Sequence, residues 1–254
     1  MVTRLRGWRD GSSSRNPIPD HVIDESRRRF LSAGAAAALA AVACPAVAGD
    51  PMHPDPNLAD PNLESLIERT HALLDSLRAP ALGPFLAEWP VAKERRPVVP
   101  SAVPVLRWLP EARADAPALS VELVNDVCRA APGMAWRQTY TVTEVGAAFL
   151  QNYGWSEIVG LSGPLASERI ACGFLLLGPQ THYPRHRHEA EEVYIPLAGT
   201  ALWQQGDGQW RERLPGTVVH HASDEPHAMR TGARPLLALY LWRSANLHQK
   251  AHFD

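Results

Sequence analysis

Cysteine is scarce in this chain. Only 3 of its 254 residues are cysteine, Cys44, Cys128 and Cys172, and none stands at C-x-x-C spacing, which excludes the common thiolate zinc and dithiol redox sites. An excess of charge of one sign is also lacking. The net charge is -2 and the longest like-charge block is a short arginine run, so nothing here tracks a nucleic-acid backbone or an acidic membrane surface. No apolar run is long enough for a stable membrane span. There is no repeat at solenoid period and no glycine-rich phosphate loop after a strand. Phenylalanine, at 5, is outnumbered by tryptophan, at 8, which weights the aromatic surface toward the ring that best holds a cation. The remaining composition, 45% hydrophobic and 20% charged, is that of a globular chain with one buried core and an added layer.

The amino terminus reads as an address. In "SRRRFL", Ser26 to Leu31, a serine precedes paired arginines, and Phe30 and Leu31 follow, a pattern that resembles the twin-arginine export signal. Ala33 to Ala43 is a mild apolar run, and "AVA", Ala46 to Ala48, supplies small residues for cleavage. Residues 1–48 are therefore expected to be a signal peptide, the export machinery a partner, and the periplasm the destination. Export by this route moves folded protein, so the domain would fold before leaving the cytoplasm. Cleavage would leave Cys128 and Cys172, which an oxidising compartment would allow to pair.

Residues 49–117 read as a proline-rich tether and helical extension. Asp60 and Pro61 mark a helix start, and Leu63, Leu66, Ile67, Leu73, Leu74 and Leu77 follow at helical spacing. From Arg78 to Pro117 prolines recur too often for long regular elements, although "PVLRWLP" can dock Trp108 on a core. A second helix is expected over Leu119 to Ala130 and a third from near Thr143, with Glu144 behind its start. Beyond them, "RIACGFLLLGP", "EEVYIPLAG", "TALWQQGDGQW", "GTVVHHA" and "PLLALYLWRS" are short apolar or β-branched runs between Gly, Pro and Asp-Gly turns. That predicts antiparallel strands, with a hairpin at "QGDGQ". The fold class is mainly β, with an N-terminal helical layer.

The chemistry concentrates in "HYPRHRHEAEEVYIPLAG", His182 to Gly199. His186 and His188 are one residue apart, as are Glu192 and Tyr194, so each pair faces one way if the chain there is extended. The order His186-x-His188, Glu192, Gly199, then Pro215-Gly216 and His227 in "EPHAM", resembles the two motifs of the cupin superfamily. The resemblance implies a C-terminal jelly-roll β-barrel over residues 118–254, with helices preceding it. Imidazole and carboxylate donors together suit one divalent transition metal, with zinc, iron, manganese and nickel all compatible. His186, His188, Glu192 and His227 are the candidate ligands. His182, His220 and His221 lack a second partner at the expected spacing and fit surface, supporting or core positions.

Within the cupins, "HYPRHRHEAEEVY", "LAGTALW" and "PHAMRT" are similar to the dimethylsulfoniopropionate lyase family. That similarity implies metal held by the histidines and Glu192, Tyr194 as the catalytic base, and Tyr183 as a second catalytic phenol. A small zwitterionic substrate would carry its sulfonium against aromatic rings, for which Trp203, Tyr140 and Trp155 are the candidates, Trp136 and Trp242 being further options. Two other readings stay open: another metal-dependent cupin enzyme, a dioxygenase or small-acid lyase, and a non-catalytic periplasmic ligand-binding cupin. Homodimer formation is left open as well.

Overall fold

The computed structural model describes residues 61–91 and 94–254. The signal-like segment, its cleavage point and nearly all of the tether lie outside the described residues. No described helix is long and apolar enough to cross a membrane.

Pro61–Leu77 forms α1, whose apolar spacing turns Leu63, Leu66, Ile67 and Leu74 to one buried face. The proline-dense stretch holds only short helices, α2 (Gly83–Ala87) and α3 (Leu109–Ala114), joined by 3-10 turns, because proline removes a donor from any longer ladder. Trp108 is half-buried there, its Nε1 donating to Asn152 Oδ1 at 3.0 Å. Helix α4 spans Val121–Ala130 and α5 spans Val142–Leu150. The cap of α5 is Thr141, two residues earlier than the sequence suggests: Glu144 accepts hydrogen bonds from both the Thr141 amide and hydroxyl. Gly146, at φ 79°, interrupts this helix.

The strands are β1 (Trp136–Arg137), β2 (Tyr153–Gly160), β3 (Leu165–Ala166), β4 (Ile170–Leu177), β5 (His182–Arg187), β6 (Glu191–Ala198), β7 (Ala201–Gln205), β8 (Arg211–Arg213), β9 (Val219–His221), β10 (His227–Thr231), β11 (Leu236–Arg243) and β12 (His252–Phe253). They make two sheets rather than one continuous cylinder. One runs β1-β2-β4-β11-β6-β9, with β3 beside β2, and the other β12-β5-β10-β7-β8. This is the cupin jelly roll. The "QGDGQ" stretch closes the β7–β8 hairpin, where Ala201 faces Arg213.

Strands β4 and β11 are apolar almost throughout because the larger sheet is covered on both faces. Ile170, Cys172, Phe174 and Leu176 of β4, with Leu237, Leu239 and Leu241 of β11, pack with the helices. The alternate residues, Ala171, Leu175, Ala238 and Tyr240, face the second sheet. Cys172 is buried in the helical side and Cys128 is half-buried; both are free thiols, so no disulfide joins them. The larger sheet thus separates a mainly apolar layer, with Thr70, Asp126 and Ser156 as buried polar exceptions, from the layer that carries the histidines and tyrosines.

Gly173 marks the tightest approach within that sheet. A Cβ there would lie 1.9 Å from the Ser156 carbonyl oxygen and 2.8 Å from the Glu157 Cα, both backbone atoms that cannot swing aside. Gly173→Ala is expected to destabilise the fold by about 1–3 kcal/mol, the usual cost of overpacking, measured as a fall in urea midpoint.

Candidate active site

One strand start and one strand end bring the histidines together. His227, opening β10, is the register partner of His186 near the end of β5, and their ring centroids are 4.2 Å apart. His188 follows β5, its ring 5.3 Å from that of His227. All three are buried, and their ligand-capable nitrogens lie within 4.8 Å of one another. Three buried histidines in this arrangement could hold a metal ion.

Each ring is anchored in the same way. Nδ1 of His186 meets the Pro184 carbonyl at 2.8 Å, Nδ1 of His188 the Ala190 carbonyl at 2.9 Å, and Nδ1 of His227 the Glu225 carbonyl at 2.9 Å. A carbonyl only accepts, so the geometry assigns the proton to Nδ1 and leaves the Nε2 lone pair free. Nε2 of His188 and Nε2 of His227 then lie 2.9 and 3.1 Å from Glu192 Oε2. The second contact is out of line for a hydrogen bond, and Nε2 of His227 has no partner. Lone pairs facing a carboxylate repel unless a proton or a metal cation sits among them. The donor set, one carboxylate and three imidazoles with the His227 Nε2 left unpartnered, therefore fits a divalent first-row metal.

Glu192, at the start of β6, has no exposed surface. Burial alone would raise its carboxyl, but the adjoining His188 and His227 outweigh that and hold it well below the usual range. Its other oxygen accepts from Trp242 Nε1 at 2.6 Å. Burial likewise opposes charge on His188, yet Glu192 wins and raises its pKa. His186 goes the other way, driven well below the ordinary value by burial and then by His227.

Beside this cluster lies a cavity of about 150 Å³. The chain has 5 tyrosines, and all of them line it: Tyr140, Tyr153, Tyr183, Tyr194 and Tyr240. Tyr183 stacks flat on the His186 ring, centroids 4.1 Å apart, and its hydroxyl lies 2.7 Å from that of Tyr140. Tyr194 shares the cavity with Glu192 and His186; burial first, then the Glu192 charge, keep its phenol well above the ordinary value. Trp155 and Trp242 also line the space, whereas Trp203 stands behind Tyr194, ring centroids 5.1 Å apart, outside the lining. Trp136 is buried in the helical layer, away from the cavity.

Sequence reasoning did not single out Tyr153, Tyr240, Glu157 or the C-terminal segment, all of which contribute to the cavity. Leu247, Gln249, Lys250 and Ala251 close one side of it. That segment is held by β12 pairing to β5, by Gln249 accepting from the Ala190 amide, and by Asp254 paired with Arg185 and Arg187. Among the other histidines, His182 is exposed and His220 pairs with Glu191 at 2.8 Å. His221 is fully buried, stacked on His227 at 4.0 Å, with neither ring nitrogen partnered. Burial and then His227 drive its pKa down to about 2.

Residues 86–238 match the dimethylsulfoniopropionate lyase family. The chain belongs to that family. Its match begins within α2, so the family likeness takes in part of the helical layer as well as the jelly roll. The dimethylsulfoniopropionate lyase DddQ of Ruegeria pomeroyi is 36% identical over 167 residues, covering 65% of this chain and 82% of the relative. The crystal structure of DddQ from the same organism superposes with a TM-score of 0.71 at 31% identity, over 77% of this chain and 98% of that one. A chain from the structures of the lyases RdDddP and RnDddQII gives a TM-score of 0.65 at 30% identity, over 76% and 97%. Membership of this family makes the protein a lyase.

The anchoring pattern predicts one metal ion per chain. His188→Ala and His227→Ala should each weaken binding by more than about 100-fold, beyond the range for loss of a supporting contact, as read by competition with a chromogenic chelator. His221→Phe should leave metal content unchanged and stability equal or higher, because it removes two unpartnered polar atoms at similar volume.

Proposed function

We propose that this protein cleaves dimethylsulfoniopropionate to dimethyl sulfide and acrylate. The observation that carries the proposal is that Tyr194 opens onto the same cavity wall as Glu192 and His186, so a phenol and a metal-type donor set address one small substrate. Family membership supports it independently.

His186, His188, Glu192 and His227 would hold the ion. When bound, a divalent cation there favours phenolate over phenol and neutralises the substrate carboxylate and the charge that develops beside it. Tyr194 takes the proton from the carbon next to the carboxylate. The electron pair left behind becomes the new carbon–carbon double bond, the carbon–sulfur bond breaks, and sulfur leaves with that bond's electrons as dimethyl sulfide. Tyr194 later returns its proton to water, which balances the step. Tyr183, locked between His186 and the Tyr140 hydroxyl, fixes the wall facing the base. The reaction needs few other protein groups, because the sulfonium is already a good leaving group. The export-like segment would place this activity in the periplasm.

Metal-loaded protein given dimethylsulfoniopropionate should release dimethyl sulfide into the headspace with equimolar acrylate. Tyr194→Phe should lower kcat by about 10²–10⁴-fold, the usual worth of a general base, with metal content retained. No sulfide from fully loaded protein would overturn the proposal.

A further inference from the structure

On the inner face of the larger sheet, register places four residues in one row across four strands. Tyr194 of β6 pairs with Tyr240 of β11, Tyr240 with Gly173 of β4, and Gly173 with Glu157 of β2. At the usual strand spacing, Glu157 stands about 14 Å from Tyr194, Cα to Cα. Gly173 puts no side chain between them, and the β2 backbone at Ser156 and Glu157 closes against it. Glu157, Trp155, Tyr240 and Trp242 all line the cavity, and the Trp155 and Tyr240 rings meet edge to face, at 84° with centroids 6.3 Å apart.

The Glu157 carboxylate is unusual in how it is held. Three donors, the Ser162 amide, the Ser162 hydroxyl and the Gly163 amide, converge on Oε1 at 2.6, 3.0 and 2.8 Å. None of these bonds goes to Oε2. Among the described residues Glu157 forms no ion pair; Arg137, the nearby cation, donates instead to Ser162 Oγ at 2.7 Å. Burial pushes the carboxyl above its usual range despite those three donors, so a positive ligand beside it would relieve an existing cost. The Oε1 bonds fix the group in place, and Oε2 is left for something else.

We infer that Glu157, with the rings of Trp155 and Tyr240, forms a cation subsite that takes the onium end of a zwitterionic substrate while its carboxylate end lies at the histidine–Glu192 cluster. This rests on the lyase reading and extends it by naming what selects the positive end. An anion flanked by aromatic faces attracts a sulfonium or quaternary ammonium, whose methyl groups also want apolar contact. A neutral isostere of the same shape gains the contact but not the charge term. The wall is far enough from Tyr194 for the substrate's short carbon chain to lie between the two.

The test compares two inhibitors of the metal-loaded enzyme, 3-(trimethylammonio)propionate and its neutral carbon isostere 4,4-dimethylpentanoate. Wild type should bind the cation at least about tenfold more tightly, and Glu157→Gln, which keeps an oxygen for the Ser162 and Gly163 amides, should erase most of that ratio. Affinity for the neutral acid should move by less than about twofold. Trp155→Leu, with melting temperature recorded, should cut the same ratio and covers the case in which Glu157→Gln fails to fold. Equal binding of the two acids by wild type, or a ratio unchanged in folded Glu157→Gln, overturns the subsite. Dimethyl sulfide release by wild type is scored separately. Sulfide with no Glu157-dependent ratio sinks only the subsite, and the ratio without sulfide sinks only the lyase reading.

Discussion

A carboxylate sealed from water is the constraint on which the site is built. Burying an isolated ion costs several kcal/mol even after relaxation, and Glu192 has no exposed surface. One oxygen is satisfied by the Trp242 indole N–H. The other faces Nε2 atoms of His188 and His227 whose rings have already committed Nδ1–H to main-chain carbonyls. Those carbonyls do more than orient the rings: with Nδ1–H committed, His227 is left with an unpartnered Nε2 beside the carboxylate, and His188 Nε2 meets the same oxygen at 2.9 Å, so a proton or a cation is needed among them. A metal ion held there would resolve what the chain alone leaves opposed.

The sheet then sets where the other groups stand relative to that centre. Residues on one face recur every second position, and register converts this local rule into a row spanning strands distant in sequence. Glu192 pairs with Trp242 and with His221, while Tyr194, one step along the same face, pairs with Tyr240 and Val219. Glu192, its indole partner and the proposed base are therefore set by the β6–β11 ladder rather than by a loop. This suits a reaction that depends on holding a phenol at fixed distance from a charged centre. The looser part is the C-terminal segment, tied across the cavity by a two-residue strand and a few exposed ion pairs.

What was legible in the sequence follows the same division. His186, His188 and Glu192 lie within seven residues, so alternation puts the two histidines on one face, the turn between β5 and β6 brings Glu192 back beside them, and the second motif supplies His227. Strands β4 and β11 announced themselves as apolar runs between turn residues. Strand β2 did not: Tyr153–Gly160 reads "YGWSEIVG", with two glycines, a serine and a glutamate breaking the pattern. Its inner residues Tyr153, Trp155 and Glu157 acquire a shared purpose only through register with β4. Tyr240 was hidden for the converse reason, lying in a run so apolar that nothing marked its hydroxyl. His221 sits beside His220 in sequence, but one pairs with Glu191 at the margin and the other is sealed against His227, a difference that only the sheet decides.

The helical layer explains how the chain tolerates such a site. On the inner face, His221, His227 and Trp203 all carry buried polar atoms without partners, each of which costs about 1–3 kcal/mol. On the outer face of the larger sheet most alternate residues are leucine, isoleucine, valine, phenylalanine and cysteine, packed against α1 and α4, with Thr70, Asp126 and Ser156 as buried polar exceptions. Most of the apolar packing thus lies on the outer side of the larger sheet, and the candidate site lies between its inner side and the smaller sheet. A jelly roll without that outer layer would have to draw its folding energy from the cavity side, where aromatic and imidazole groups must stay spaced for a ligand instead of closing on one another. The helices supply apolar burial that the inner face gives up, and this lets the inner face remain polar, strained in charge and open to a ligand.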